Sequence, residues 1–139
     1  MSILRGGCLC GDVRYEVDGP VDRVMICHCA MCRRSVGAQS VAWACARSET
    51  VRVTAGAPRW YDSSPRGRRG FCARCGASLF FADPSDPREL AVTVGTFDEP
   101  DALPPKGHVY VPSKLAWVRL EPGLEQHEAG SFSPRIDGP

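Results

Sequence analysis

Residues 71–76 read FCARCG and residues 6–11 read GGCLCG. The first is a CxxC pair closed by glycine, the form of a zinc knuckle. A tight turn there aims backbone N–H groups at the sulfurs, and the glycine supplies the positive φ that the turn needs. The second stretch adds Cys8 and Cys10, flanked by glycines. Cys8, Cys10, Cys72 and Cys75 together offer four thiolates, the number that closes a tetrahedral structural zinc site. Such a site staples the N-terminal segment to a hairpin far along the chain. The staple adds folding free energy directly, because metal binding and folding are coupled.

Composition frames this reading. The chain has 139 residues, 43% of them hydrophobic and 24% charged, which fits one soluble domain with a single core. A formal charge of +1 gives no bulk attraction to nucleic acid or anionic membrane. No apolar run approaches the roughly 18 residues of a membrane span, and MSILRGGCLCGD carries no apolar core of a secretory signal. The expected location is cytoplasmic. In a reducing compartment, eight cysteines read as metal ligands or reactive thiols rather than as disulfides.

The remaining pattern is mostly β. DVRYEVD (12–18) alternates apolar and polar residues and ends at Gly19-Pro20. Further strands are expected over 21–27, 40–46, 51–54, 77–82, 90–97, 108–111 and 115–120. Residues 30–36 suit one helical turn stopped by Gly37, and the arginine-rich stretch SSPRGRRGFC (63–72) reads as a loop. With 14 glycines and 12 prolines for turns, the pattern predicts a small mostly β sandwich or barrel-like sheet pair. Residues 1–125 are expected to form the zinc-binding domain and 126–139, which lack periodicity, a flexible tail.

A second cluster lies in ICHCAMCRR (26–34), where Cys27, Cys29 and Cys32 can wrap three sulfurs around one ion. A fourth ligand could come from Cys45, from His28 or from outside the chain. In an extended segment His28 points away from both neighbouring cysteines, and Cys45 lies in an apolar strand, so an open fourth position is favoured. Three thiolates on one Zn²⁺ leave a net negative site, a weak activator of water that prefers a further soft sulfur ligand. A small thiol bound there would lose its proton and become nucleophilic near neutral pH. Seven metal-bound thiolates and two divalent ions would take the chain from +1 to about −2. Arg33, Arg34, Arg66, Arg68 and Arg69 are the candidate cations to offset that charge and hold anionic groups of the ligand.

Four stretches in this order, GGCLCGDVRYE (6–16), ICHCAMCRRSVGA (26–38), RRGFCARCGASLFF (68–81) and HVYVPSKLAW (108–117), resemble the glutathione-dependent formaldehyde-activating enzyme family, which also includes centromere protein V. The resemblance covers about residues 5–125 and implies a tent-like fold of stacked β-sheets. It implies a structural zinc on Cys8, Cys10, Cys72 and Cys75, and a second zinc on Cys27, Cys29 and Cys32 with room for the thiol of glutathione. The implied reaction is carbon–sulfur lyase chemistry: addition of glutathione to formaldehyde, giving S-(hydroxymethyl)glutathione.

Two other classes of function are weighed beside this one. A non-catalytic, zinc-stabilised binding module for a protein or nucleic acid would use RGRR (66–69) and the surfaces of Trp43, Trp60, Tyr61 and Trp117. The near-neutral charge disfavours nucleic acid. A redox-active thiol set would use the same three cysteines, but clustered thiols capture zinc readily. The sequence is compatible with a homodimer.

Overall fold

The structure is a computed structural model and describes residues 2–137. Its elements are β1 (Leu4–Gly7), β2 (Arg14–Val17), β3 (Val21–Cys27), α1 (Ala30–Val36), β4 (Val41–Arg47), β5 (Val51–Ala55), β6 (Arg59–Ser64), β7 (Gly67–Phe71), β8 (Ser78–Ala82), β9 (Glu89–Thr93), β10 (Gly107–Val109) and β11 (Glu125–Gln126). A three-stranded sheet runs β1-β2-β5, and an eight-stranded sheet runs β11-β10-β3-β4-β9-β8-β7-β6. Most pairs are antiparallel, but β10 lies parallel to both β3 and β11. The fold is therefore mostly β with stacked sheets, as the alternation predicts.

Side-chain alternation explains the layering. In β4, Ala44 and Ala46 join a core with Val13 and with Tyr15 and Val17 of the small sheet, while Val41, Trp43 and Cys45 join a second apolar cluster with Met25, Cys27 and Cys32. Strand residues two apart share a face, so the large sheet uses one face to bury the small sheet and the other to hold the CxCxxC segment. Tyr15 ties the sheets together. It is 1% exposed and packs edge-on against Phe80 and Phe97, and its hydroxyl lies 2.9 Å from Thr96 Oγ1.

Several expectations need correction. The arginine-rich stretch is the hairpin β6–β7 and no loose loop, with only Pro65 and Arg66 at its turn. Residues 115–120 form no strand: Lys114 Nζ donates to the carbonyls of Leu115 and Val118 and holds the chain in a turn. The strand expected over 90–97 ends at Thr93, where the Thr96 hydroxyl donates to the Thr93 carbonyl and a 3-10 turn follows. Residues 126–137, expected as a loose tail, are in contact with the sheet. Gln126 belongs to β11, His127 N donates to His108 O at 2.9 Å, and Ile136 N donates to Gln126 O at 2.9 Å. The edge of β10 offers backbone groups that this segment satisfies. Residues 138 and 139 lie outside the described residues.

Candidate metal centres and adjoining cavities

The first cysteine cluster forms where the β1–β2 turn meets the turn between β7 and β8. The sulfurs of Cys8, Cys10, Cys72 and Cys75 all lie within 4.8 Å of one another. Cys8 and Cys10 are 3.6 Å apart, and Cys10 and Cys72 are 3.8 Å apart. A tetrahedral ion bound to sulfur at about 2.3 Å sets its ligands roughly 3.8 Å apart, so these distances fit one ion. Backbone N–H groups point at the sulfurs as a knuckle requires: Val13 N donates to Cys8 Sγ at 3.2 Å and Cys75 N to Cys72 Sγ at 3.4 Å. Gly76 closes the knuckle with φ +78°, a conformation that a side chain disfavours. Backbone hydrogen bonds from Ala77 and Cys10 lower the Cys75 thiol to about 6, favouring the ligating thiolate.

The second cluster forms where β3 runs into α1. The sulfurs of Cys27, Cys29 and Cys32 lie within 4.8 Å of one another. Cys29 caps the helix, accepting from Cys32 N at 3.3 Å, so the turn that begins the helix also gathers the sulfurs. Hydrogen bonds from Cys27 and then Cys32 hold the Cys29 thiol far below its ordinary range, and the same contacts with burial push Cys27 up. Crowded sulfurs cannot all ionise unaided, and a divalent cation is what would allow it. The donor set of three soft sulfurs with one helix-cap N–H therefore fits a metal ion.

The two sequence candidates for a fourth ligand do not join this cluster. His28 is 1% exposed and turned away, with Nε2 2.9 Å from His108 Nδ1. Burial, then His108, lowers its pKa to about 4, so it stays neutral. Cys45 is buried in β4 and lines a cavity that lies over the three sulfurs without joining them. Burial raises its thiol to about 11, which keeps it protonated.

The five arginines separate. Arg69 is 8% exposed and its Nη1 lies 3.5 Å from Cys32 Sγ, while its Nε donates to Ser63 Oγ at 3.1 Å. Arg66 lines the same cavity from the hairpin turn and reaches Asp83 at 3.4 Å. Arg68 faces the other way, pairing with Asp62 at 3.1 Å and stacking over Trp60. Arg34 lines a neighbouring cavity, and Arg33 lines neither. Alternation along β7 accounts for the split between Arg68 and Arg69.

The cavity over the three sulfurs measures about 450 Å³. Arg23, Asp83, Glu89 and Tyr110 also line it, and the sequence reading does not reach them. Tyr110 is the one non-glycine residue with positive φ among the described residues, at φ 55°. Sparsely populated backbone of this kind collects at functional sites, and its place in HVYVPSKLAW is the one available sequence signal.

Stacked sheets built around two cysteine clusters that can hold metal ions define a class of small cysteine-ligated β proteins. Comparison narrows it: the profile of the family "Glutathione-dependent formaldehyde-activating enzyme" matches residues 3–113, and the chain belongs to that family. A Halomonas elongata protein named "Putative glutathione-dependent formaldehyde-activating enzyme" is 30% identical over 129 residues, covering 86% of this chain and 82% of that one. A Schizosaccharomyces pombe protein named as an uncharacterized lyase is 30% identical over 82 residues, 59% of each chain. The crystal structure of a Rhodobacter sphaeroides protein superposes with a TM-score of 0.58 at 30% identity, covering 68% of this chain and 87% of that one. No helix of the described residues is long and apolar enough to cross a membrane.

Proposed function

We propose that this chain is a zinc-dependent carbon–sulfur lyase-like enzyme of a reducing cytoplasm. It binds glutathione or a similar small thiol at Cys27, Cys29 and Cys32 and adds it to formaldehyde or a similar small electrophile. The observation that carries the reading is a cluster of three sulfurs, with neither His28 nor Cys45 completing it, opening onto a cavity that holds a buried arginine. Zinc in that cluster would lower the pKa of an entering thiol toward neutrality. The ion proposed for the first cluster, Cys8, Cys10, Cys72 and Cys75, is structural in this account, since four protein sulfurs would close its coordination.

The chain's own residues then have distinct tasks. Cys27 and Cys32 are buried, so their sulfurs sit away from bulk water. Arg69 sets a cation against Cys32 and offsets the surplus negative charge of three thiolates. Arg66 and Arg23, with Asp83 and Glu89, give the cavity both signs of charge, which suits a zwitterionic peptide thiol. The thiol gives up its S–H proton, its sulfur bonds to the carbonyl carbon, the C=O π pair moves to oxygen, and that oxygen takes up one proton, so the sum is R–SH plus the aldehyde.

Formaldehyde and thiols also combine without a catalyst, so the test must read acceleration. Magnetisation exchange between ¹³C-formaldehyde hydrate and S-(hydroxymethyl)glutathione measures it. The zinc-loaded protein is expected to speed exchange above background, and Cys29→Ser to return it to background. Background exchange with the fully loaded wild type would contradict the catalytic reading.

A further inference from the structure

A second cavity, of about 710 Å³, adjoins the first and has a different chemistry. Both share Met31, Trp43 and Arg69 as lining residues, so they meet beside the Arg69–Cys32 contact. The helix explains the arrangement. Met31, Arg34 and Ser35 are spaced three and four apart and so share one face of α1, toward the second cavity. Cys32, next to Met31 in the helix, lines the first cavity and is buried. Across from the helix, the hairpin offers Tyr61 and Phe71, and β4 offers Trp43.

The contrast between the cavities is in charge and size. The first mixes Arg23, Arg66 and Arg69 with Asp83 and Glu89. The second has Arg34 and Arg69 and no acidic residue, on walls rich in aromatic rings. Arg69 is already engaged by Cys32 and Ser63, whereas Arg34 is exposed at the rim. A cavity of roughly 300–1,000 Å³ is the size that takes a drug-sized molecule, and a one-carbon aldehyde would fill a small part of it.

We infer that the second cavity extends the electrophile range beyond formaldehyde, and that it binds an aromatic aldehyde carrying a carboxylate. Its ring packs against Trp43, Tyr61 and Phe71, its carboxylate pairs with Arg34, and its aldehyde carbon faces the Arg69–Cys32 side, where the thiol arrives. The inference rests on the thiol reading above for its chemistry and on the cavity alone for its binding. The step forms one S–C bond and converts the C=O π bond into a hydroxyl. The proton lost by the thiol ends on oxygen, and the product is a hemithioacetal. Nothing is oxidised or reduced.

The test uses 4-formylbenzoate, benzaldehyde and glutathione as probes of the zinc-loaded full chain, with saturation-transfer NMR and calorimetry reading each affinity. The wild type is expected to bind 4-formylbenzoate more tightly than benzaldehyde. Arg34→Gln should weaken 4-formylbenzoate about tenfold, the scale of one charge-assisted hydrogen bond, with benzaldehyde and glutathione unchanged. Tyr61→Ala should weaken both aryl aldehydes; Tyr61 is 64% exposed, so its loss spares the core. No binding of 4-formylbenzoate to a wild type that binds glutathione would overturn the inference. So would an Arg34→Gln variant that weakens glutathione instead, since the cavity would then hold the thiol. Aryl binding that persists while glutathione fails to bind would uphold the cavity assignment and sink the thiol reading.

Discussion

Arg69 shows how much one position can carry. It is buried, yet its guanidinium spans from the Ser63 hydroxyl to the Cys32 sulfur and lies over the Phe81 ring, with Cζ 4.9 Å from the ring centroid. A planar fork can hold two such partners at once, and a lysine ammonium cannot reproduce it. Arg69→Met is expected to weaken glutathione about tenfold in calorimetry while both metal ions are retained; unchanged affinity would remove Arg69 from the site. In the sequence, Arg66, Arg68 and Arg69 stand as one undivided basic group. They become distinguishable only once RGRR is known to be a strand, because alternation then sends Arg68 to Asp62 and Arg69 to the sulfurs. Glycines and a proline around the arginines hid that strand from propensity reasoning.

The helix α1 is the element that builds the three-sulfur cluster. Its N-cap is a candidate ligand, Cys29, and its end is fixed by Gly37 at φ +68°. A Cβ at Gly37 would meet nothing within 4 Å, so only backbone strain opposes a side chain there. Gly37→Ala is expected to cost about 1 kcal/mol, read as a shift of the urea midpoint at constant slope. A neutral result would mean that the helix end relaxes out of the left-handed conformation. The bounds of this element match the sequence reading, whose one argued signal is Gly37 at its end. Strand β1 was not, because LRGG (4–7) has two glycines and no alternation. Its glycines are explained by proximity: a Cβ on Gly6 would run into the Tyr15 hydroxyl and the Thr96 carbonyl. The short strand β11 carries no signal either, because its pairing with β10 is set by the sheet edge and not by its own residues.

At the scale of the molecule, the metal proposed for the four-cysteine cluster shares the stability with sheet packing. A structural zinc site contributes on the order of 10 kcal/mol, comparable to the roughly 5–15 kcal/mol net stability of a whole domain. Cys72→Ser is therefore expected to unfold the chain, whereas Cys32→Ser should lose about one equivalent of zinc and keep its circular dichroism. Equal effects from the two variants would erase the division between staple and site.

Packing between the sheets has its own signature in pH. Burial, first of all, raises the Tyr15 phenol above its ordinary 10.0, so the fold favours the neutral form. That stabilisation is complete below pH 10 and is lost as pH rises beyond it. Tyr15→Phe should flatten this alkaline loss in urea titrations, while costing about 1 kcal/mol at neutral pH for the missing hydroxyl bond.

The cysteine spacings made the gathering of Cys8, Cys10, Cys72 and Cys75 readable, since CxC and CxxC each present two sulfurs locally. The order of the eight strands was not readable, because the pairing of β10 with β3 joins residues about eighty positions apart and leaves no local trace.

The central claim is that Cys27, Cys29 and Cys32 leave one coordination position for an outside thiol. X-ray absorption at the zinc edge, with and without glutathione, measures it directly. Seven cysteine sulfurs over two ions give a mean of about 3.5 sulfurs per zinc, rising to about 4 when glutathione binds. A mean of four before any thiol is added, unchanged afterwards, would contradict the account.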